Sequence, residues 1–228
     1  MAGRPVYHDP LEAIADIPDG AVIMTGGFAG RGVPAQLILA LRQRGVKGLT
    51  LITNDTSGGW GGRVDASYLI ETRQVKKVVA SWPVPASTAV ITPLEQQLLA
   101  GELEMELVPQ GTLAERIRAA GAGIGAFFTP TGAGTPFAQG KEVRTIDGVE
   151  QILEYPLAAD FALIRAHRAD AYGNLVYRRT ARNFNPPMAT AARVTIAEVD
   201  EVVPVGSLDP ESIVTPGIYV HRLVVKRG

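Results

Sequence analysis

A chain of 228 residues, 46% of them hydrophobic, can bury one sizeable α/β core or two small ones, and its net charge of -1 offers no footprint for nucleic acid or an anionic membrane. The absence of cysteine excludes disulfides and thiolate chemistry, and His8, His167 and His221 lack metal-ligand spacing, so no metal is expected. No segment approaches the length of a membrane span, and the opening Met-Ala-Gly-Arg-Pro has no apolar signal core, so a cytoplasmic protein is expected.

Ala21 to Thr25 is a short apolar run with β-branched members behind the turn signal Pro18-Asp19-Gly20, which predicts a buried strand. Leu37, Ile38, Ala40 and Leu41 then recur at helical spacing, with Pro34 suited to a first turn and Gly45 to a stop. Between them lies Gly26-Gly27-Phe28-Ala29-Gly30-Arg31-Gly32-Val33-Pro34. Glycine at the carboxyl end of a strand lets backbone amides face an anion without an intervening side chain, although a turn needing positive φ accounts for it equally well.

Strands are predicted at Leu49 to Thr53, Val75 to Ser81, Glu104 to Val108 and Ala126 to Phe128, with helices at Ala66 to Thr72, Pro93 to Ala100 and Leu113 to Ala120. Pro83 and Pro85 open a loop between the second of those strands and the helix at Pro93. From Gly140 to Glu154 the pattern is that of a hairpin turning at Asp147-Gly148. Further strands are read at Asp160 to Ala166, Leu175 to Arg178, Val194 to Val199 and Ile218 to Val225, with a helix near Pro187 to Ala192. The alternation predicts an open, mostly parallel sheet flanked by helices, in one domain over 1–228 with a hairpin-containing insertion near 140–155.

The strand ends lead into small polar residues. Asn54-Asp55-Thr56 and the glycines to Gly62 follow the second strand, Pro109-Gln110-Gly111-Thr112 another, and Thr129-Pro130-Thr131-Gly132-Ala133-Gly134-Thr135 a fourth. Together with the loop at Gly26 they are expected to converge on one crevice. No G-x-G-x-x-G, Walker-type phosphate loop or G-x-S-x-G elbow occurs. The residues alone describe a binding surface without an evident nucleophile.

Gly26-Gly27-Phe28 with Gly32 and Pro34, Pro109-Gln110-Gly111-Thr112-Leu113-Ala114-Glu115-Arg116, Thr129 to Thr135, and Ala181-Arg182-Asn183-Phe184-Asn185-Pro186 resemble the α (A) subunit of family I 3-oxoacid CoA-transferases. The resemblance runs from about residue 10 to the C-terminus. It implies a ping-pong transfer of coenzyme A between carboxylic acids, through a glutamyl-CoA thioester on a glutamate of a β (B) subunit. No glutamate of this chain precedes Asn-Gly, the setting of that nucleophile in the family.

By the same resemblance, Gly26, Gly27, Phe28, Ala29, Gly30, Arg31 and Gly32 form the CoA-binding loop, with Arg31 able instead to reach a carboxylate or phosphate. Asn54 and Gln110 are the supporting catalytic residues, amide donors to a developing oxyanion. Asp55 replaces a second asparagine of some relatives, and Arg182, Asn183 and Asn185 order the site, the subunit contact or only the fold. Coenzyme A is expected as substrate rather than as a tightly bound cofactor, in a heterotetramer of two α and two β subunits. Ser81-Trp82-Pro83, Gly121 to Phe128 and Leu208 to Glu211 resemble 3-oxoadipate enzymes using succinyl-CoA, whereas Asn54-Asp55-Thr56 and Arg165 to Arg168 resemble acetate/acetoacetate ones. A dicarboxylic substrate calls for an extra cation, Arg31 or Arg63. The other readings open on the residues are an acyl-CoA or sugar-phosphate binding module and a non-catalytic scaffold.

Overall fold

The computed structural model describes residues 3–56, 62–83 and 91–226. Most of the glycine-rich stretch after Thr56 and the loop containing Pro85 lie outside these. The chain forms β1 (Val6–Tyr7), α1 (Pro10–Ala13), β2 (Val22–Thr25), α2 (Ala35–Arg44), β3 (Leu49–Thr53), α3 (Ser67–Glu71), β4 (Val75–Ala80), α4 (Pro93–Leu99), β5 (Glu104–Leu107) and α5 (Gln110–Ala122). There follow β6 (Phe127–Thr129), β7 (Val143–Ile146), β8 (Val149–Glu154), β9 (Ala159–Arg165), β10 (Arg168–Asp170), β11 (Leu175–Val176), α6 (Asn185–Thr190), β12 (Ala192–Val199), β13 (Glu201–Val203) and β14 (Arg222–Val225).

Eight strands make one sheet in the order β1-β14-β12-β9-β2-β3-β4-β5. Every pairing in it is parallel, so the expected mostly parallel sheet is parallel throughout. Period-two alternation divides its side chains between two layers. Ile23, Leu51, Val78 and Leu163 pack with α1 to α4, through residues such as Ala13, Leu37, Leu41, Leu69 and Leu94. Met24, Ile52, Val79 and Ala162 face the other way, onto Leu113 and Ile117 of α5 and Met188 and Ala189 of α6.

Local chemistry sets the ends of the helices. Gly45 stops α2 with φ 73, and its amide bonds to the carbonyls of Leu41 and Arg42. Thr92 and Glu95 form a reciprocal capping box at the start of α4. The hairpin of β7 and β8 turns through Asp147 (φ 51) and Gly148 (φ 77), the left-handed pair that an Asp-Gly turn predicts.

Three sequence expectations are corrected. Gln110, Gly111 and Thr112 are not a loop but the first turn of α5, closed by Leu113 N donating to Pro109 O at 2.8 Å. The strand before Thr129 to Thr135 belongs to a separate antiparallel sheet, β6-β8-β7. That fourth loop therefore does not leave the edge of the parallel sheet, because β6 pairs with the hairpin rather than with β5. Within Ile218 to Val225 only Arg222–Val225 is strand, since Gly217–Tyr219 is a 3-10 turn. Periodicity also missed β1, α1, β10 and β13, which are too short to show any.

Candidate functional site

Strand order reverses at β2. The chain runs outward from it through β3, β4 and β5, while β9 on its other side leads to β12, β14 and β1. Open parallel sheets bind ligands at such a switch point, beyond the carboxyl ends of the strands, and here that ground is held by the loop at Gly26 to Pro34.

This loop is a tight hairpin. Phe28 N donates to Arg31 O at 3.0 Å and Arg31 N to Phe28 O at 2.9 Å, around Ala29 (φ 47) and Gly30 (φ 70). Ala29 thus holds a left-handed conformation that costs a side-chain-bearing residue about 1–2 kcal/mol. Its amide donates to Asp55 Oδ2 at 2.9 Å, a charge-assisted bond that offsets the strain.

Asp55 is one end of a polar chain across three strand ends. Asn54 Nδ2 donates to the same Asp55 Oδ2 at 2.9 Å, and Asn54 Oδ1 accepts from Gln110 Nε2 at 2.8 Å and from Ser81 Oγ at 2.9 Å. Ser81 follows β4, so the β2, β3 and β4 ends and the first residue of α5 are joined. These bonds fix which way both amides point. A primary amide carries two N–H donors, so each retains one beyond those bonds.

A cavity of about 400 Å³ opens over this chain, lined by Phe28, Ala29, Asn54, Asp55, Trp82 and Gln110. Asn54 and Asp55 are buried, while Phe28 and Trp82 expose 44% and 51% of their surface, so the cavity has a polar floor and an aromatic mouth. Trp82, just past the end of β4, is expected from the sequence only as part of the substrate motif Ser81-Trp82-Pro83 and not as a site residue; an aromatic beside a Pro in a strand-end loop is the signal that marks it.

The remaining loop residues have other positions. Gly26 and Gly27 form the back of the hairpin, where a Cβ would meet Asn185 and Val33 respectively. Gly30, Arg31 and Gly32 border other cavities, with Arg178 and Ala181. Neither Arg31 nor Arg63 is among the described residues that line the cavity of Asn54 and Gln110.

The anion cradle narrows as well. The amides of Gly26, Phe28, Ala29 and Arg31 are donated within the protein. The amides at the start of α2 are also used, since Gln36 N and Leu37 N donate to Glu198 Oε2 at 2.8 and 3.3 Å. Pro34 provides no side-chain cap there, and the buried Glu198 carboxylate replaces one. Burial pushes the Glu198 carboxyl up, against the pull of Arg165 and of the two amides. Helix α2 consequently presents its N-terminus to the protein, not to a ligand.

Asn183 and Asn185 hold the loop from behind. Asn185 Oδ1 accepts from Arg165 N at 2.9 Å, and its Nδ2 donates to Gly32 O at 3.0 Å and Ala181 O at 2.9 Å. Asn183 Nδ2 donates to Arg31 O and Thr180 O, both at 2.9 Å. Among the described residues no three His, Asp or Glu side chains gather as a metal-binding group, and no helix is long and apolar enough to cross a membrane.

A parallel α/β sheet with a glycine hairpin and an amide-lined cavity at its switch point defines a ligand-binding α/β protein. The family model for coenzyme A transferase matches residues 7–226, and the chain belongs to that family. It is 50% identical over 222 residues to the α (A) subunit of the 3-oxoadipate CoA-transferase of Pseudomonas putida, covering 97% of this chain and 94% of that one. It is also 50% identical over 226 residues to the corresponding subunit of the succinyl-CoA:3-ketoacid coenzyme A transferase of Xanthomonas campestris pv. campestris (strain B100), covering 98% and 90%. The resemblance to α subunits read from the motifs therefore holds. Among solved structures, the acyl-CoA transferase YdiF of E. coli O157:H7, in its thioester complex with CoA, superposes with TM-score 0.81 at 22% identity. That match covers 98% of this chain and 50% of YdiF, so the chain spans half the length of that single polypeptide.

Proposed function

We propose that this chain is the α subunit of a heteromeric CoA-transferase that moves coenzyme A from succinyl-CoA to a 3-oxoacid, with 3-oxoadipate the preferred acceptor. The observation that carries this reading is the cavity at the switch point. It holds two oriented amides, the buried Asn54 and Gln110 at the rim, and no glutamate lies among its described lining residues.

The chemistry is divided between chains. A glutamate carboxylate of the β subunit attacks the thioester carbonyl, and the C–S bond breaks to give a mixed anhydride and CoA thiolate. The thiolate then attacks the glutamyl carbonyl, releasing succinate and leaving a glutamyl-CoA thioester. The acceptor carboxylate and the same thiolate repeat the two steps in the other direction. At each attack the carbonyl oxygen gains negative charge, and the second N–H groups of Asn54 and Gln110 are positioned to donate to it. Phe28 and Trp82 shield the mouth from water, which would otherwise hydrolyse the intermediates.

Identity does not separate the substrates, since both relatives above stand at 50%. The choice of 3-oxoadipate rests on the motifs around Trp82, Gly121 to Phe128 and Leu208 to Glu211. Among the described lining residues there is no cation, and residues 57–61 and 84–90 contain no Lys or Arg. A distal carboxylate is then neutralised from the β subunit, in place of Arg31 or Arg63. The test is an assay of the chain reconstituted with its β subunit, using succinyl-CoA against 3-oxoadipate, acetoacetate and acetate. The highest kcat/KM is expected for 3-oxoadipate, and higher values for acetoacetate or acetate would replace that assignment. Full activity from this chain alone would sink the two-subunit reading, and light scattering of the complex checks the expected two α and two β subunits.

A further inference from the structure

The glycine hairpin also borders a cavity that Asn54 and Gln110 do not line. A cavity of about 500 Å³ is lined by Arg31, Gly32, Arg178, Arg179, Thr180 and Ala181, three arginines with no Asp or Glu among the described lining residues. It adjoins one of about 250 Å³ that shares Gly32, Arg178 and Ala181 and also contains Arg165, His167 and Asp200. In that neighbour the charge of Arg165 is already matched by Glu198 and Asp200. Arg31, Arg178 and Arg179, by contrast, take part in none of the ion pairs among the described residues.

Like charges gathered without counter-charge repel one another, and this cluster sits on a strained turn that hydrogen bonds hold in place. Arg179 has φ 53, and Asn183 closes the same 3-10 turn at φ 20, ψ -121. Such conformations cost roughly 1–3 kcal/mol each and persist where surrounding bonds impose them. The bonds here are those of Asn183 Nδ2 to Arg31 O and Thr180 O, which bind the arginine turn to the glycine hairpin. A scaffold that holds three unpaired guanidinium groups around one concavity matches a polyanion with several acceptor oxygens.

We propose that this cavity is a phosphate-binding subsite that takes the phosphorylated end of coenzyme A, an assignment that rests on the CoA-transferase reading above. The hairpin then serves two sides: Phe28 and Ala29 border the reacting cavity, and Arg31 and Gly32 border the phosphate subsite.

The experiment measures binding to the full chain by calorimetry at low salt, with pyrophosphate, CoA, dephospho-CoA and pantetheine as probes. The wild type is expected to bind CoA more tightly than pantetheine. In R178Q/R179Q, pyrophosphate and CoA should weaken about tenfold or more, the loss of one or two charge-assisted contacts, with pantetheine unchanged. R31Q should act in the same direction, while R118Q, outside the cavity lining and paired with Glu115, should change nothing. Unfolding curves establish that each variant is folded. Unchanged CoA and pyrophosphate binding in R178Q/R179Q and R31Q overturns the proposal, as does a wild type that binds no phosphate-bearing probe. Variants that bind every probe normally but lose the β subunit make the cluster a subunit contact instead, and also overturn it. Pyrophosphate binding that depends on the arginines, without CoA binding, preserves the anion subsite and refutes the CoA reading.

Discussion

Asn185 Oδ1 stands 1.9 Å from the point where a Cβ on Gly26 would lie. The same oxygen accepts from Arg165 N, so it cannot withdraw without leaving that donor of β9 unpaired. The glycine at position 26 is therefore set by a side chain from α6, far along the chain, and not by its own φ. Gly26→Ala is expected to destabilise the protein by about 2–4 kcal/mol, through overpacking and a broken asparagine network. In a double-mutant cycle with Asn185→Ala, the paired variant should cost less than the sum of the two, as denaturant titration would show.

Gln110 tests the amide pair. Gln110→Ala removes a donor from the first turn of α5 and the bond it gives to Asn54, but the side chain is on the rim and supports little packing. Turnover of the assembled enzyme is expected to fall about 10²-fold, the usual loss for one oxyanion donor. Subunit association, followed by sedimentation, should be retained. Equal losses in the two would assign Gln110 to the interface.

Asp55 binds Ala29 N and Asn54 Nδ2 through one oxygen. Asp55→Ala leaves the strained Ala29 turn without its anchor and should cost about 1.5–3 kcal/mol. Asp55→Asn retains an acceptor but loses the charge, and an intermediate stability is expected. If Asp55 acts only by positioning, kcat should fall in the same rank order while its pH profile stays unshifted.

Acid should separate one surface contact from the rest. Arg222 donates to both oxygens of Asp16 and to Ala13 O, clipping α1 to β14. The Arg222 hydrogen bond holds the Asp16 carboxyl below its ordinary 3.8 despite some burial. A lowered carboxyl pKa stabilises the fold above the unfolded value, and that stability is lost as pH falls through the folded one. Asp16→Asn should therefore be less stable than wild type at pH 6, by under about 1 kcal/mol because Asp16 is largely exposed. The difference should shrink as pH falls below the ordinary 3.8 and through the lowered folded value, which thermal unfolding across that range would reveal.

Much of the scaffold was legible because its signals are local. The strand Leu49–Thr53 and the hairpin turning at Asp147-Gly148 fall where period and turn chemistry put them, and helix α2 ends at Gly45 as expected. The site was legible only in part. Phe28, Ala29, Asn54 and Gln110 do share a cavity, and three of the four expected strand-end loops meet at one edge. The fourth departs because nothing in Phe127–Thr129 announces that it pairs with a hairpin further along the chain.

The sequence by itself determined most of the longer elements, their alternation and the kinship to CoA-transferase α subunits, since these depend on residues near one another or on motifs held in order. Only the tertiary structure decided what each polar group is doing. Glycine-loop amides that looked free for an anion are donated to Asp55 and within the hairpin, and the start of α2 is closed by Glu198 from β12. Arg31 lines a different cavity from Asn54 and Gln110, together with Arg178 and Arg179. The physical reason is the same in each case: a buried or oriented polar group is defined by its partner, and the partners here come from distant parts of the chain.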